Sequence, residues 1–454
     1  MSGRRAVGTR WKGDAGGPEP RGARRRGAAA LAALLLAPAA SLSAGELRVL
    51  LEAVAGVRSD GNYLQSAEPL PTTEEEQQAA RRHTVGRGGL NLDLHYQRPR
   101  LGFALGYSPT YEQSLRDKSL NGVTHRLRLG MLGNLSRRTT FSLDEHLIAS
   151  PNLELVAIAP TDVPQTMAVP RRGNELIQRA DAGLTFAATP HTSYFLTVDQ
   201  TTRTFSAPGL IDSDTVGGTA GIGWHRSEQS EIQALVGGSR FDFHGVRSAD
   251  VGTASLAYRR EIGRDGHLRI EGGGFVVSAT DRSVGLGTPA ADGSAVGSAQ
   301  ARRSGVRGAI AWNTLHTRWS WSAGYRHDVA PGLGLGRPVL ADDAFAGIGT
   351  VGRRVSVGLD LSGSRSRDLG TRVNTRPLTE FAAATLHASW AFTNWGRLDG
   401  GASRVYQRAR VPGFDDLSYS RFFLGVAVRL YSRGVAVDFP PDQGGLIHAQ
   451  PDVR

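Results

Sequence analysis

The sequence predicts an all-β fold, an up-and-down antiparallel transmembrane β-barrel of about eighteen strands, or sixteen if the stretches 231–243 and 344–351 do not count. Three observations predict it. Apolar residues alternate with polar or small ones in run after run, the connections alternate between long and short, and the tryptophans gather beside the short ones. Successive strand side chains point to opposite faces, so each run has one apolar wall and one polar wall.

Residues 46–57 open the pattern, with Leu47, Val49, Leu51, Ala53 and Ala55 on one face. Residues 88–107 hold the clearest hairpin. Leu90, Leu92, Leu94 and Tyr96 oppose Asn91, Asp93, His95 and Gln97; after the turn at 98–100, Leu101, Phe103, Leu105 and Tyr107 oppose Gly102, Ala104, Gly106 and Ser108. Residues 123–135 set Leu127, Leu129 and Met131 against Arg126, Arg128 and Gly130, and 139–149 set Phe141 and Leu143 against Ser142 and Asp144. Ala180, Ala182, Leu184 and Phe186 oppose Arg179, Asp181 and Thr185; Tyr194, Leu196 and Val198 oppose Thr197 and Asp199.

The second half continues. Val216, Gly218, Ala220, Ile222 and Trp224 form one face, 231–243 is less regular, and 253–262 turns at 264–266 into 268–279. Val306, Ile310 and Trp312 precede Trp319, Trp321, Ala323 and Tyr325; 345–351 reads as short. Val355, Val357, Leu359 and Leu361 alternate with Arg354, Ser356, Gly358 and Asp360. Residues 382–392 turn at 393–394 into 395–406, and 419–431 form the last strand. The strands read as roughly ten residues each, as in outer-membrane barrels.

The connections at 58–83, 113–122, 151–173, 206–213, 244–250, 283–304, 329–341, 367–377 and 412–417 read as long. Those between them read as short, which in up-and-down order puts every short turn at one end. Trp224, Trp312, Trp319, Trp321, Trp390 and Trp395 all lie beside short turns, with Tyr96, Phe141, Phe186, Tyr194 and Tyr431 at the same level. Aromatic rings favour a membrane–water boundary, so these residues predict a girdle. Tyr107, Tyr325, Phe345 and Tyr406 predict a sparser one at the other end.

Residues 1–44 read as a cleaved signal peptide: Arg24, Arg25 and Arg26 precede an apolar stretch ending in small residues, Ser41, Ser43 and Ala44. They hold eight basic and two acidic residues, so of the formal +11 charge about +5 belongs to residues 45–454, and the basic balance does not call for a nucleic-acid partner. The chain has no cysteine, which excludes disulfides, thiolate metal sites and a cysteine nucleophile. No metal or cofactor site is legible. Ser142, Asp144 and His146 share a strand face, but spacing along one strand does not make a hydrolytic triad, and no enzymatic activity is expected.

In strand pattern and loop alternation, residues 46–431 resemble the bacterial outer-membrane β-barrel class in its porin-like form. The stretch Gly425-Val426-Ala427-Val428-Arg429-Leu430-Tyr431 resembles the final-strand signal read by the barrel assembly machinery, although residues 432–454 follow it. The resemblance implies a barrel over 45–431, a periplasmic tail over 432–454, and the outer membrane of a Gram-negative bacterium. It also implies contact with lipid and lipopolysaccharide, passage of small hydrophilic solutes, and room for a homo-oligomer. The polar face would then line the lumen with Arg126, Arg128, Arg179, Arg307, Arg318, Arg326, Arg354, Arg397, Arg421 and Arg429, and with Asp93, Asp144, Asp181, Asp199, Asp360 and Asp399. The arginine excess suggests a mild anion preference; pairing across strands would cancel it. The apolar stretch 151–173 is a candidate constriction loop carrying Arg171 and Arg172. The second functional reading is a barrel component of a polysaccharide export or surface-assembly system; a third, weaker one is a secreted soluble β-protein that binds carbohydrate.

Overall fold

The computed structural model describes residues 46–61, 82–152, 172–281, 300–369 and 377–433, except positions 116–117, 119–120, 207–209, 264, 317, 333–335, 351, 353 and 411–416. The signal segment and all but the start of the C-terminal tail lie outside them. The described residues form eighteen strands: β1 (Glu46–Gly61), β2 (Arg82–Arg98), β3 (Leu101–Ser114), β4 (Gly122–Asn134), β5 (Thr139–Asn152), β6 (Arg172–Thr189), β7 (Thr192–Phe205), β8 (Ser213–Ser227) and β9 (Ser230–Phe243) in the first half. The second half adds β10 (Arg247–Ile262), β11 (Gly266–Asp281), β12 (Gln300–Leu315), β13 (Trp319–Gly332), β14 (Arg337–Thr350), β15 (Val355–Asp368), β16 (Thr379–Ala391), β17 (Gly396–Ala409) and β18 (Leu417–Arg433).

Each strand pairs antiparallel with its sequence neighbours, and β1 pairs with β18, so the sheet closes into a barrel. Paired residues share a face, and the register carries one apolar face round the wall. Leu94 meets Val49 and Leu105, Leu184 meets Leu196, Ile270 meets Ile310, and Val426 meets Ala55. Leu196, Ile270, Ile310 and Leu424 are exposed on it. In a closed barrel this is the outer face, and the polar face looks inward.

Aromatic side chains on the inner face repeatedly lie over a glycine directly across the ladder: Phe195 over Gly221, Phe275 over Gly305, Phe345 over Gly324 and Phe423 over Gly401. A Cβ at Gly305 would come within 2.6 Å of the Phe275 ring, so glycine makes room for the ring to lie flat on the wall.

Three expectations change. The strands are 13 to 18 residues long rather than about ten, because each continues past the apolar band, where both faces turn polar and alternation fades. The less regular 231–243 stretch is a strand as expected, with unbroken pairing to β10, but β10 starts at Arg247 rather than Thr253, and the short 345–351 stretch belongs to a strand that starts at Arg337. Consequently two connections read as long are shorter: 244–246, a turn with Gly245 at φ 76°, and the four positions between Gly332 and Arg337, of which Gly336 has φ 65°. Phe345 points inward over Gly324 and does not belong to a girdle.

The wall departs from a simple ring at one place. β12 pairs with β11 up to Gln300, but with β13 only from Gly308 to Leu315. Beyond His327, β13 stays with β14 as far as Gly332 and leaves β12. The upper parts of β13 to β15 lie inside the wall. Val329, Leu340 and Leu369 pack on inward residues of β9 to β11, the buried cluster of Phe241, Phe243, Ala249, Val251, Phe275 and Val277. Two layers of sheet overlap there.

Candidate pore

Eighteen strands about 4.8 Å apart and tilted by about 40° give a round section on the order of 35 Å across. Facing side chains do not fill that width, so the chemistry of the inner face decides what the interior admits.

The register places Arg126, Arg128, Arg179, Arg307, Arg326, Arg397, Arg421 and Arg429 on the inner face, with Asp93, Asp144, Asp181, Asp199, Asp360 and Asp399. Arg318 and Arg354 do not belong to the wall. They sit in the short turns before Trp319 and Val355, and the Arg354 carbonyl accepts a hydrogen bond from the Ala391 amide at 2.7 Å. Alternation was extended one step too far into each turn. Arg171 lies outside the described residues, and Arg172 begins β6 opposite Asn152.

Most inner arginines are paired. Arg179 Nε donates to Asp181 at 2.8 Å, Arg397 Nε to Asp399 at 2.9 Å, and Arg326 Nη2 to Asp343 at 3.2 Å. Arg128 lies 3.6 Å from Asp144, which also bonds His146. Glu271, buried at 9% exposure, accepts from Ser255 and Arg269, each at 2.8 Å; Arg307 lies 3.3 Å from it and 2.8 Å from Asp328. At the closing seam Asp60, with no exposed surface, accepts from Arg58 at 2.9 Å and from Arg421 at 2.8 Å, while Arg58 reaches Glu112 at 2.9 Å.

Sequence reading missed Glu271 and the Arg58–Asp60–Glu112–Arg421 clasp, yet a signal was present. Arg58-x-Asp60, Arg179-x-Asp181, Arg269-x-Glu271 and Arg397-x-Asp399 share a spacing of two, which puts both charges on one strand face. All four are bonded pairs. Ser142, Asp144 and His146 do share the inner face, but Ser142 sits across from Gly183 with no base in bonding reach among the described contacts.

The outer face carries the aromatic belt. Trp224, Trp319, Trp390, Tyr194 and Tyr431 are 39% to 54% exposed, as is Trp312. Trp312 and Trp321 meet edge to face with ring centroids 3.7 Å apart, and Phe392 stands edge-on to both Trp390 and Trp395 at 6.0 Å. Tyr96 shares the face and level but is only 8% exposed, its ring lying under the Arg98 guanidinium at 5.6 Å. On β16 the outer face stays apolar from Trp390 up to Glu380. At ~3.3 Å per residue and ~40° of tilt that is about 25 Å along the axis, the height of an outer-membrane apolar band.

No protein-family model matches the sequence, and no curated protein does. Among solved structures the chain is similar to OccK2 (OpdF) of Pseudomonas aeruginosa in complex with glucuronate, at 11% identity and TM-score 0.39, covering 84% of this chain and 98% of that one. It is also similar to OccAB3 of Acinetobacter baumannii, at 8% identity and TM-score 0.40, covering 86% of this chain and all of that one. The ferric citrate transporter FecA is 14% identical, with TM-score 0.41; the match covers 83% of this chain and 63% of FecA, so the chain spans less than two thirds of it. At this level of likeness, what those proteins bind says nothing of this chain. The fold, a closed porin-like barrel of eighteen antiparallel strands, rests on its own ladder.

Proposed function

We propose that the chain is a porin-like channel of the bacterial outer membrane that lets small hydrophilic solutes diffuse across, with no catalytic step. One observation carries this reading: the closed ladder has an apolar outer band, belted with aromatics at one end, around a wide inner wall of charged and polar groups. Residues 1–44 would direct export and be removed, and the strand ending at Arg433 would be read by the assembly machinery. Lipid and lipopolysaccharide would contact the outer face. The anion preference is mild, because most wall arginines have a carboxylate beside them and little unpaired charge faces the solute.

The test is single-channel recording of the refolded chain without residues 1–44 in a planar bilayer, with reversal potential measured across a salt gradient. Stable steps with a small anion-directed reversal potential are expected. Heat-modifiable insertion without current would refute the channel and leave the barrel.

A further inference from the structure

The β12–β13 interruption is built into the sequence. If their ladder continued past Gly308 and His327 in the same register, Pro331 would face Ser304. Pro331 faces Pro338 on its other side, and two prolines oppose each other only at a non-hydrogen-bonded position. Pro331 would then have to be hydrogen-bonded to Ser304 of β12 on its other side, and it has no N–H to give. On the opposite lip, Arg302 and Arg303 form no ion pair among the described residues, and Val306 is 71% exposed. Proline and unpaired arginine are the devices that keep an open strand edge from zipping.

The two layers that overlap here meet through side chains alone. Val329 and Leu340 rest on the Phe243–Phe275 cluster, and no strand pairing joins β10 to β14. Parting them breaks no ladder hydrogen bond. Opening the seam separates Arg307 of β12 from Asp328 of β13, 2.8 Å apart, and exposes apolar surface, which an inserted acyl chain would cover again. The seam begins where the outer face changes character: Tyr325 and His327 bond Asp342 at 2.7 and 2.6 Å, with Arg367 at 3.3 Å from it.

From this geometry we infer that the overlapped β12–β13 seam is a lateral portal, through which an amphipath with one long acyl chain and an acidic head passes between the barrel interior and the outer leaflet. The tail lies between the two layers. The head meets Arg302 on the outer face of the free β12 edge, above the level where the outer face turns polar, with Arg303 beside it on the inner face. This inference rests on the barrel and not on the channel reading.

The probe is stearic acid carrying a photoactivatable diazirine, with its methyl ester for comparison, added to the exported chain in lipid nanodiscs. Because the chain has no cysteine, Ala249→Cys with Leu340→Cys places a unique thiol pair on the two layers, to be bridged by a bis-thiol reagent. Labelling by the acid is expected to concentrate on β11 to β14, to fall at least tenfold for the ester or for Arg302→Gln with Arg303→Gln, and to fall at least tenfold on bridging. Labels spread evenly round the outer wall would overturn the portal, as would labelling unchanged by bridging. Failure of the two thiols to bridge would overturn the overlapped geometry itself. Ion conductance is recorded from the same preparation, so loss of the channel reading shows as absent current whatever the labelling does.

Discussion

Asp60 makes the sharpest test of how the barrel is closed. It has no exposed surface and holds Arg58 of its own strand and Arg421 of β18 at 2.9 and 2.8 Å, while Arg58 continues to Glu112 on β3. Asp60→Asn keeps the shape and removes the charge. Buried Arg58 and half-buried Arg421 then lose their shared counter-charge, and breaking a buried pair in this way costs about 3–5 kcal/mol. With a denaturant slope of about 3 kcal/mol per molar, the urea midpoint drops by roughly 1–1.7 M. The assay is the gel-mobility shift between folded and unfolded barrel across a urea series in the same detergent. Asp399→Asn serves as reference, since Arg397 and Asp399 lie two residues apart on one face of β17 and seal no seam. A midpoint within about 0.3 M of the parent would refute the clasp as a closing element.

Gly324→Ala should destabilise the wall by about 1–3 kcal/mol, because its Cβ would meet the Phe345 ring at 2.5 Å and the Ile310 carbonyl at 2.9 Å. Adding Phe345→Ala should recover part of that loss, and strictly additive urea midpoints would dismiss the pairing. Asp399→Asn should shift the reversal potential towards anions by about a twofold change in permeability ratio, since one charge at about 8 Å in water is worth roughly 0.5 kcal/mol; no shift would mean that this wall does not face the permeant ion. All tryptophans of residues 45–454 lie at the short-turn end of the barrel. Lipids brominated near the headgroup should therefore quench their fluorescence more than lipids brominated near the chain end, and the reverse order would refute the belt.

Closure and strand number were legible because alternation is strict wherever one face must be apolar. Leu90 to Tyr96 and Val355 to Leu361 leave no other assignment of faces. What failed lay where that demand lapses. Near Asp60, His327 and Asp342 both faces carry polar groups, so the strand ends past the band were read as loops. Phe345 was placed in the sparser girdle from its position along the chain; its place over Gly324 depends on the neighbouring strand, which periodicity within one strand does not contain. The balance of charge stays open in the sequence for a related reason. A list of inward arginines suggests a basic pore, but the carboxylates two residues away on the same strands offset it.

The same backbone requirement accounts for both the clasp and the opening. An unpaired strand edge is too costly in hydrocarbon, so a spanning sheet has to seal wherever lipid touches it. At β1 and β18 the ladder runs the full height, from Val49 with Arg433 to Gly61 with Ser420, and the Asp60 clasp fastens its far end. At β12 and β13 the ladder stops at Gly308 and His327, level with the outward Tyr325–Asp342–His327 group. Below that level Trp312 and Trp321 lie on paired strands against the apolar band. Above it, polar surroundings can solvate the free edge, and Pro331 ensures that one strand has no donor to leave unsatisfied. The interruption therefore sits at the one height where an open edge is cheap and an amphipath would find both an apolar crevice and a polar rim.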